Sequence, residues 1–288
     1  MFDALNALPT AALWGAVFVL GLMVGSFLNV VILRLPPRLM QDWREQCRDL
    51  LEIKLDDNQA EPAPGLVKPR SHCPQCGSGI AWYDNIPVLS WLILRARCRN
   101  CSAKIGIRYP LVELITGLLS VVVVAHFGIG PEAVSALVLL WALIAATGID
   151  FDHQLLPDQI TLPLLWAGLL INLNWQLFAS LEDAVIGAIA GYLLLWSVFH
   201  LFRLATGKEG MGYGDFKLLA ALGAWLGWQL LPVIILMASL VGAVVGILMM
   251  IIARRGKDIP IAFGPYLAAA GFIALLYGDE LVAFWMYP

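Results

Sequence analysis

Residues 232–253 read PVIILMASLVGAVVGILMMIIA, a run without a single charged side chain. A helix needs about 20 predominantly apolar residues to cross the hydrocarbon core of a bilayer. This stretch has that length, and Arg254, Arg255 and Lys257 follow it directly. Outward from it, further apolar runs lie at roughly 12–33, 110–127, 131–149, 160–179, 184–202, 216–231 and 261–286. The runs at 110–127 and 216–231 are short, and the latter meets 232–253 at a tight seam, Gln229 to Pro232. The chain is 60% hydrophobic and 14% charged, where a soluble domain carries about 25% charged residues. The expected fold is an all-α polytopic membrane protein with about eight transmembrane helices.

The first run does not read as a cleaved signal peptide, because such peptides carry positive charge ahead of the apolar stretch. Here residues 1–11 hold only Asp3, and Arg34 and Arg38 come afterwards. All 18 Lys and Arg fall in three segments: Arg34 to Arg108, Arg203 to Lys217, and Arg254 to Lys257. With eight spans these segments share one side of the membrane. The opposite connections, near 127–131, 174–183 and 229–232, contain none. The positive-inside rule places the basic side in the cytoplasm and both termini on the opposite side. The net charge of -3 carries no information about partners, and no nucleic-acid partner is expected.

Residues 34–109 form the only sizeable polar segment, between the first and second spans. It contains Cys73-Pro74-Gln75-Cys76 and Cys98-Arg99-Asn100-Cys101. Two C-x-x-C pairs aim four thiolates at one tetrahedral metal, although the 21 residues between them slightly exceed the usual ribbon spacing. Two disulfides are the alternative, and a reducing cytosol disfavours them. The expectation is a structural Zn2+ held by Cys73, Cys76, Cys98 and Cys101, since four thiolates leave no position for a reacting water. Cys47 stands alone in the charged stretch 41–58 and reads as a free thiol. That stretch has helical character and leads into a linker, Glu61-Pro62-Ala63-Pro64-Gly65.

Acidic residues elsewhere on the basic face are few. One group is Asp150, Asp152 and Asp158 with His153, and the other is Glu209 and Asp215, the latter in Gly212-Tyr213-Gly214-Asp215. Asp258 follows the run at 232–253. Carboxylates at a bilayer edge are costly without a task or a partner. Asp150 ends one span and Asp215 opens another, so both stand at a similar depth. Two adjacent carboxylates share a proton, which supplies a base for water and an acid for a leaving amine. The competing reading is helix capping, common for a lone Asp at a helix start. It applies to Asp215 and suits Asp158 well. Gly214 would leave room for an extended substrate backbone beside Asp215. The Gly21/Gly25, Gly187/Gly191, Gly223/Gly227 and Gly242/Gly246 pairs read as close helix contacts. His126 and His200 read as interfacial, and Gly264-Pro265 as a bend opening the last span.

These motifs in combination resemble the bacterial type IV prepilin peptidases, within the Gly-x-Gly-Asp membrane aspartic proteases. The resemblance rests on Gly25-Ser26-Phe27-Leu28-Asn29-Val30, the two cysteine pairs, Asn85-Ile86-Pro87 with Ser90-Trp91, and Arg108-Tyr109-Pro110 with Glu113. Asp150 through Asp158, Lys208 through Lys217 and Phe263-Gly264-Pro265 complete it. The charged insertion at 41–64 is its least characteristic part. The resemblance implies a first helix over 1–33, a zinc-bearing cytoplasmic domain over 34–109 and a seven-helix peptidase domain over 110–288. It implies Asp150 and Asp215 as the catalytic pair, with Asp152 and Asp158 accessory. The implied substrates are prepilins and type II secretion pseudopilins. These have a short basic leader ending in Gly, then a hydrophobic helix that commonly begins with Phe. Cleavage after that Gly on the cytoplasmic side would be followed by N-methylation with S-adenosylmethionine.

No G-x-G-x-x-G turn points to a Rossmann-type cofactor site. Lys104, Arg108 and Glu113 are candidates to line the methyl-donor pocket, and Glu113 equally suits a satisfied interfacial carboxylate. Two alternatives remain at this stage: a protease without methylation, and a proton- or cation-coupled transporter. Transporters place their carboxylates near the bilayer midplane, whereas Asp150 and Asp215 fall at span ends.

Overall fold

The computed structural model describes residues 9–52, 63–208, 210–252 and 262–286. Asp3, Glu61, Pro62, Glu209, Arg254, Arg255, Lys257 and Asp258 lie outside the described residues. Helices dominate, and the only β pairing among the described residues is two isolated bridges, His72 with Gly79 and Arg97 with Lys104. The chain forms two compact units, Asp3–Ala125 and His126–Pro288.

The first unit contains α1 (Thr10–Leu50), the short α2 (Leu89–Ile93) and α3 (Arg108–Phe127). Helix α1 is far longer than the run at 12–33. It continues through Pro36 and Pro37 into the charged stretch. Each proline removes an amide donor, but Pro36 and Leu39 are buried, and Gln41 donates to Glu45 one turn on at 2.8 Å. Packing and local pairing carry the helix past the break that sequence alone suggests.

Helices α1 and α3 meet backbone to backbone. A Cβ on Gly21 would fall 2.7 Å from Gly117 Cα, and one on Gly25 2.7 Å from Glu113 Cα. In lipid, where apolar burial gives no net drive, such close approach gathers dispersion contacts. Asn29 Nδ2 donates to Tyr109 O at 3.0 Å across the same seam. Thr116 and Ser120 satisfy their hydroxyls on the carbonyls one turn back, at 2.7 Å each.

The second unit contains α4 (Pro131–His153), α5 (Asp158–Trp175), α6 (Leu181–Thr206), α7 (Tyr213–Leu226), α8 (Leu231–Ile252) and α9 (Gly264–Met286). Among the described residues each of the eight apolar runs corresponds to a helix of 14 residues or more, and six of these satisfy the length and apolarity needed to cross a membrane. The other two are α5, with 18 residues, and α7, with 14. Helix α7 spans only about 21 Å along its axis. Its length need not match the bilayer because protein surrounds it: Phe216 and every residue from Leu218 to Leu226 are buried. It packs chiefly on α6 and α5, with α9 beyond.

Glycines make that packing possible. The Cβ positions of Gly187 and Gly223 are each occupied by backbone of the facing helix, and a Cβ on Gly191 would lie 2.6 Å from Leu219 O. The far end of α7 is held by buried side chains. Asn172 Nδ2 donates to Ala224 O and Trp225 O at 2.9 Å each, and Trp225 Nε1 donates to Leu164 O at 2.7 Å. Gly227, at φ 84°, then turns the chain into a single 3-10 turn, Trp228–Leu230, at the expected seam. Gly227 thus ends the helix and also takes part in the close contact, its carbonyl carbon 3.0 Å from where a Cβ on Gly187 would stand. Asp183 accepts from Trp228 Nε1 and Gln229 Nε2 and fixes this turn.

Gly223→Val is therefore expected to destabilise the protein by more than the roughly 1–3 kcal/mol typical of overpacking, because the clash is with rigid backbone. Gly242→Ala meets only the Tyr266 ring at 3.2 Å and should lower the midpoint far less. Thermal unfolding of both variants in detergent, followed by size-exclusion profile, checks the ranking.

Candidate active site and metal centre

Asp150 lies in the last turn of α4, before Gln154 leaves the helix at φ 51°. Its carboxylate turns inward and is buried, while Phe151, Asp152 and His153 are exposed. Asp150 Oδ2 accepts the backbone N–H of Gly264 at 3.0 Å. Gly264 opens α9, where an intrahelical acceptor for that amide does not exist. A Cβ there would fall 2.6 Å from the same carboxylate oxygen, so glycine is the residue that lets backbone reach Asp150.

Asp215 sits in the first turn of α7 and is also buried, at 7% exposure beside 5% for Asp150. It does not cap the helix: the N-cap is Gly212, with no side-chain capping bond. Asp215 Oδ1 is the buried side-chain oxygen without a hydrogen-bond partner among the described residues. A buried polar atom left so is costly, and a carboxylate of this kind is typical of a group held ready for a ligand or a proton. Asp150 and Asp215 lie within electrostatic reach of each other.

Leu156 joins the two sides. A Cβ on Gly214 would meet Leu156 Cβ at 2.6 Å, and one on Gly264 would meet Leu156 Cδ1 at 3.1 Å. The space beside Gly214, expected to admit a substrate backbone, is thus filled by the protein's own loop. Asp158 also departs from expectation. Pro157 takes the N-cap position of α5, and Asp158 pairs with Lys217 Nζ at 2.6 Å instead of capping. That ion pair links the starts of α5 and α7. Leu156, Lys217 and Gly264 all fall within the motif stretches quoted from the sequence, but nothing there assigned the first two a contact at this site. The Phe263-Gly264-Pro265 motif was the available signal for the last of these.

In the first unit, Cys73, Cys76, Cys98 and Cys101 bring their sulfurs within 4.8 Å of one another, and Cys73 and Cys101 Sγ are 3.7 Å apart. Tetrahedral zinc, at about 2.3 Å from each sulfur, sets its ligands about 3.8 Å apart. The donor set therefore fits zinc. Two equivalent knuckles build it. Cys73 N donates to Ser78 O and Gly77 N to Cys73 O, while Cys98 N donates to Ala103 O and Ser102 N to Cys98 O. Gly77 and Ser102 occupy matching positions, both at positive φ, 68° and 58°.

Backbone N–H groups aimed at sulfur set the thiol chemistry. The amides of Cys76 and Gln75 hold the Cys73 thiol below its ordinary value, and that of Ser78 does so for Cys76. Cys101 is pushed up to about 12: the Ala103 amide pulls it down, but desolvation and the crowded sulfurs of Cys76, Cys73 and Cys98 outweigh that. Four thiolates in this space need a cation. Asp84 braces the second knuckle by a bidentate bond from Arg99, at 2.7 and 2.5 Å, and that guanidinium holds its carboxyl below the usual range. Cys47 is exposed and is not part of the cluster.

The three residues considered for a methyl donor differ in setting. Lys104 is exposed on the bridge with Arg97, and Arg108 is half-buried at the start of α3. Glu113 is buried and accepts Val88 N at 2.8 Å, with the Ser26 hydroxyl as a second donor.

Purified protein should contain about one zinc per chain, and Cys101→Ser should lose it and unfold the module. Gly77→Ala meets no atom within 4 Å but must adopt a left-handed backbone, at about 1–2 kcal/mol. It should keep its zinc while unfolding at a lower temperature. Metal analysis and circular dichroism separate the two.

Two family models match: the bacterial peptidase A24 N-terminal domain over residues 19–127, and the type IV leader peptidase family over residues 137–247. Proteins named prepilin leader peptidase/N-methyltransferase match along nearly the whole chain. That from Stutzerimonas stutzeri is 56% identical over 93% of this chain and 92% of its own. That from Aeromonas hydrophila is 56% identical over 94% and 92%. That from Pseudomonas aeruginosa is 56% identical over 91% and 89%. No solved structure matches. Identity at this level over both the metal-binding unit and the unit that carries Asp150 and Asp215 means that the chain belongs to the type IV leader peptidase family.

Proposed function

We propose that the protein removes the leader of type IV prepilins and type II secretion pseudopilins after a Gly, and then methylates the new N-terminal amine, commonly of Phe. The observation that carries the peptidase reading is the pair of buried carboxylates at helix ends, one anchored on a backbone amide and the other with an oxygen left unpartnered. Both activities are those named for the relatives from Stutzerimonas stutzeri and Aeromonas hydrophila.

Asp150 and Asp215 act as the dyad. One carboxylate takes a proton from water, and the hydroxide adds to the scissile carbonyl. The other carboxyl protonates the departing amine as the C–N bond breaks. The Gly264 amide holds Asp150 in register through these transfers. The Leu156 side chain, wedged against Gly214 and Gly264, keeps the spacing. A substrate whose leader is polar and whose next segment is an apolar helix presents its junction at the depth of these helix ends.

Zinc holds the two knuckles of the first unit as a folded module. S-adenosylmethionine would supply the methyl group when bound, and Lys104, Arg108 and Glu113 of the first unit are the residues that would line its pocket. The protein sits in the bacterial inner membrane with its basic segments and active site cytoplasmic and both termini periplasmic. The location of both carboxylates in terminal helical turns disfavours a transporter, whose ion-binding groups stand near the midplane.

Asp150→Asn and Asp215→Asn should each abolish cleavage of a prepilin in detergent, by at least about a thousandfold, with zinc content and unfolding midpoint kept. Measurable cleavage in either folded variant removes the dyad. Mass spectrometry of the mature N-terminus with S-adenosylmethionine present should show one added methyl. An unmodified amine would leave a protease alone.

A further inference from the structure

The zinc-bearing unit exposes an apolar face that the catalytic reading does not use. Helix α2 turns Leu89, Leu92 and Ile93 outward, with Leu92 58% and Ile93 68% exposed. These positions, spaced by three and four residues, share one side of a helix. The opposite side faces its own unit: Trp91 Nε1 donates to Ile105 O at 3.2 Å. The turn before it, Trp82–Asn85, exposes Trp82 at 81% and Tyr83 as well. Arg95 and Arg97, both exposed, follow α2 directly.

The level of this face is set by Glu113. Its carboxylate accepts the amide of Val88, the residue immediately before α2. Val88 has φ 58° and ψ -48°, a positive-φ conformation rare for a β-branched residue, so the bond holds a strained residue in place. Glu113 lies five residues into α3, about 7.5 Å along its axis. Helix α3 has 20 residues, about the 30 Å of a hydrocarbon core. The start of α2 therefore lies within one side-chain length of a point inside the membrane-crossing helix. Large apolar side chains exposed at that level would meet lipid if α3 crosses the bilayer. Outward Trp and Tyr with trailing Arg are the composition of the bilayer interface, where rings sit among headgroups and guanidinium groups reach lipid phosphates.

We infer that residues 82–93 are an interfacial anchor: the Trp82–Asn85 turn and α2 lie in the leaflet on the zinc-module side, with Leu89, Leu92 and Ile93 in the acyl region and Arg95 and Arg97 on anionic headgroups. The anchor, together with the Glu113–Val88 bond, fixes the zinc module at the membrane surface. It is independent of the peptidase assignment.

The test uses the full chain in nanodiscs of phosphatidylethanolamine and phosphatidylglycerol, with Cys47→Ser and zinc content verified. Leu92→Cys and, separately, Trp82→Cys carry an environment-sensitive fluorophore. Quenching by a spin label on the lipid chain or headgroup should exceed quenching by aqueous iodide at least several-fold at both positions. Dominant iodide quenching would place the face in water. Protection from both quenchers would place it against protein. Either result overturns the anchor.

Discussion

Contact between backbones at Gly187, Gly191 and Gly223 is the constraint on which the second unit depends. Only without side chains there can α6 and α7 approach closely enough for α7 to be enclosed. Enclosure explains why a 14-residue helix suffices. It also explains the polar clamps at its far end, since Asn172 and Trp225 must satisfy groups that no water reaches. The same enclosure buries Asp215 and brings it within reach of α4 and α9.

The site that results joins three separate connections in the chain. Asp150 ends α4, Asp215 opens α7, and Gly264 opens α9, with Leu156 filling the space between glycines. Helix ends are where backbone groups lack intrahelical partners. A carboxylate there can be held by an amide without breaking a helix. The Asp158–Lys217 pair at the lip is half-exposed and worth little as stabilisation; its interest is that it ties the start of α5 to the start of α7, which carries Asp215.

The first unit solves a different problem with a different device. Its module has too few buried apolar residues to fold on packing alone: Cys73 is the one buried hydrophobic residue among the described positions between Ala63 and Ile107. Metal ligation, the Asp84–Arg99 fork and the Glu113–Val88 bond replace a core. Small domains without a sufficient core need such cross-links, and here one of them reaches into a membrane helix.

Much of this was legible in the residues. Apolar runs located every long helix, because in lipid a segment must satisfy its own backbone and so announces itself by length. Paired C-x-x-C spacing announced the metal cluster, because each turn aims two sulfurs locally. Asp150 and Asp215 stood out because an acid at a membrane edge is costly. What only the tertiary structure decided was contact between distant segments. Leu156 rather than substrate fills the space beside Gly214, Asp158 pairs with Lys217 instead of capping, α1 continues through Pro36 and Pro37, and α7 is surrounded by protein. Hydropathy and motif spacing report what a residue can do within its own helix or turn. Which neighbour takes up that capacity depends on how the helices pack, and the glycine seams that govern the packing carry no side chain to signal their partner.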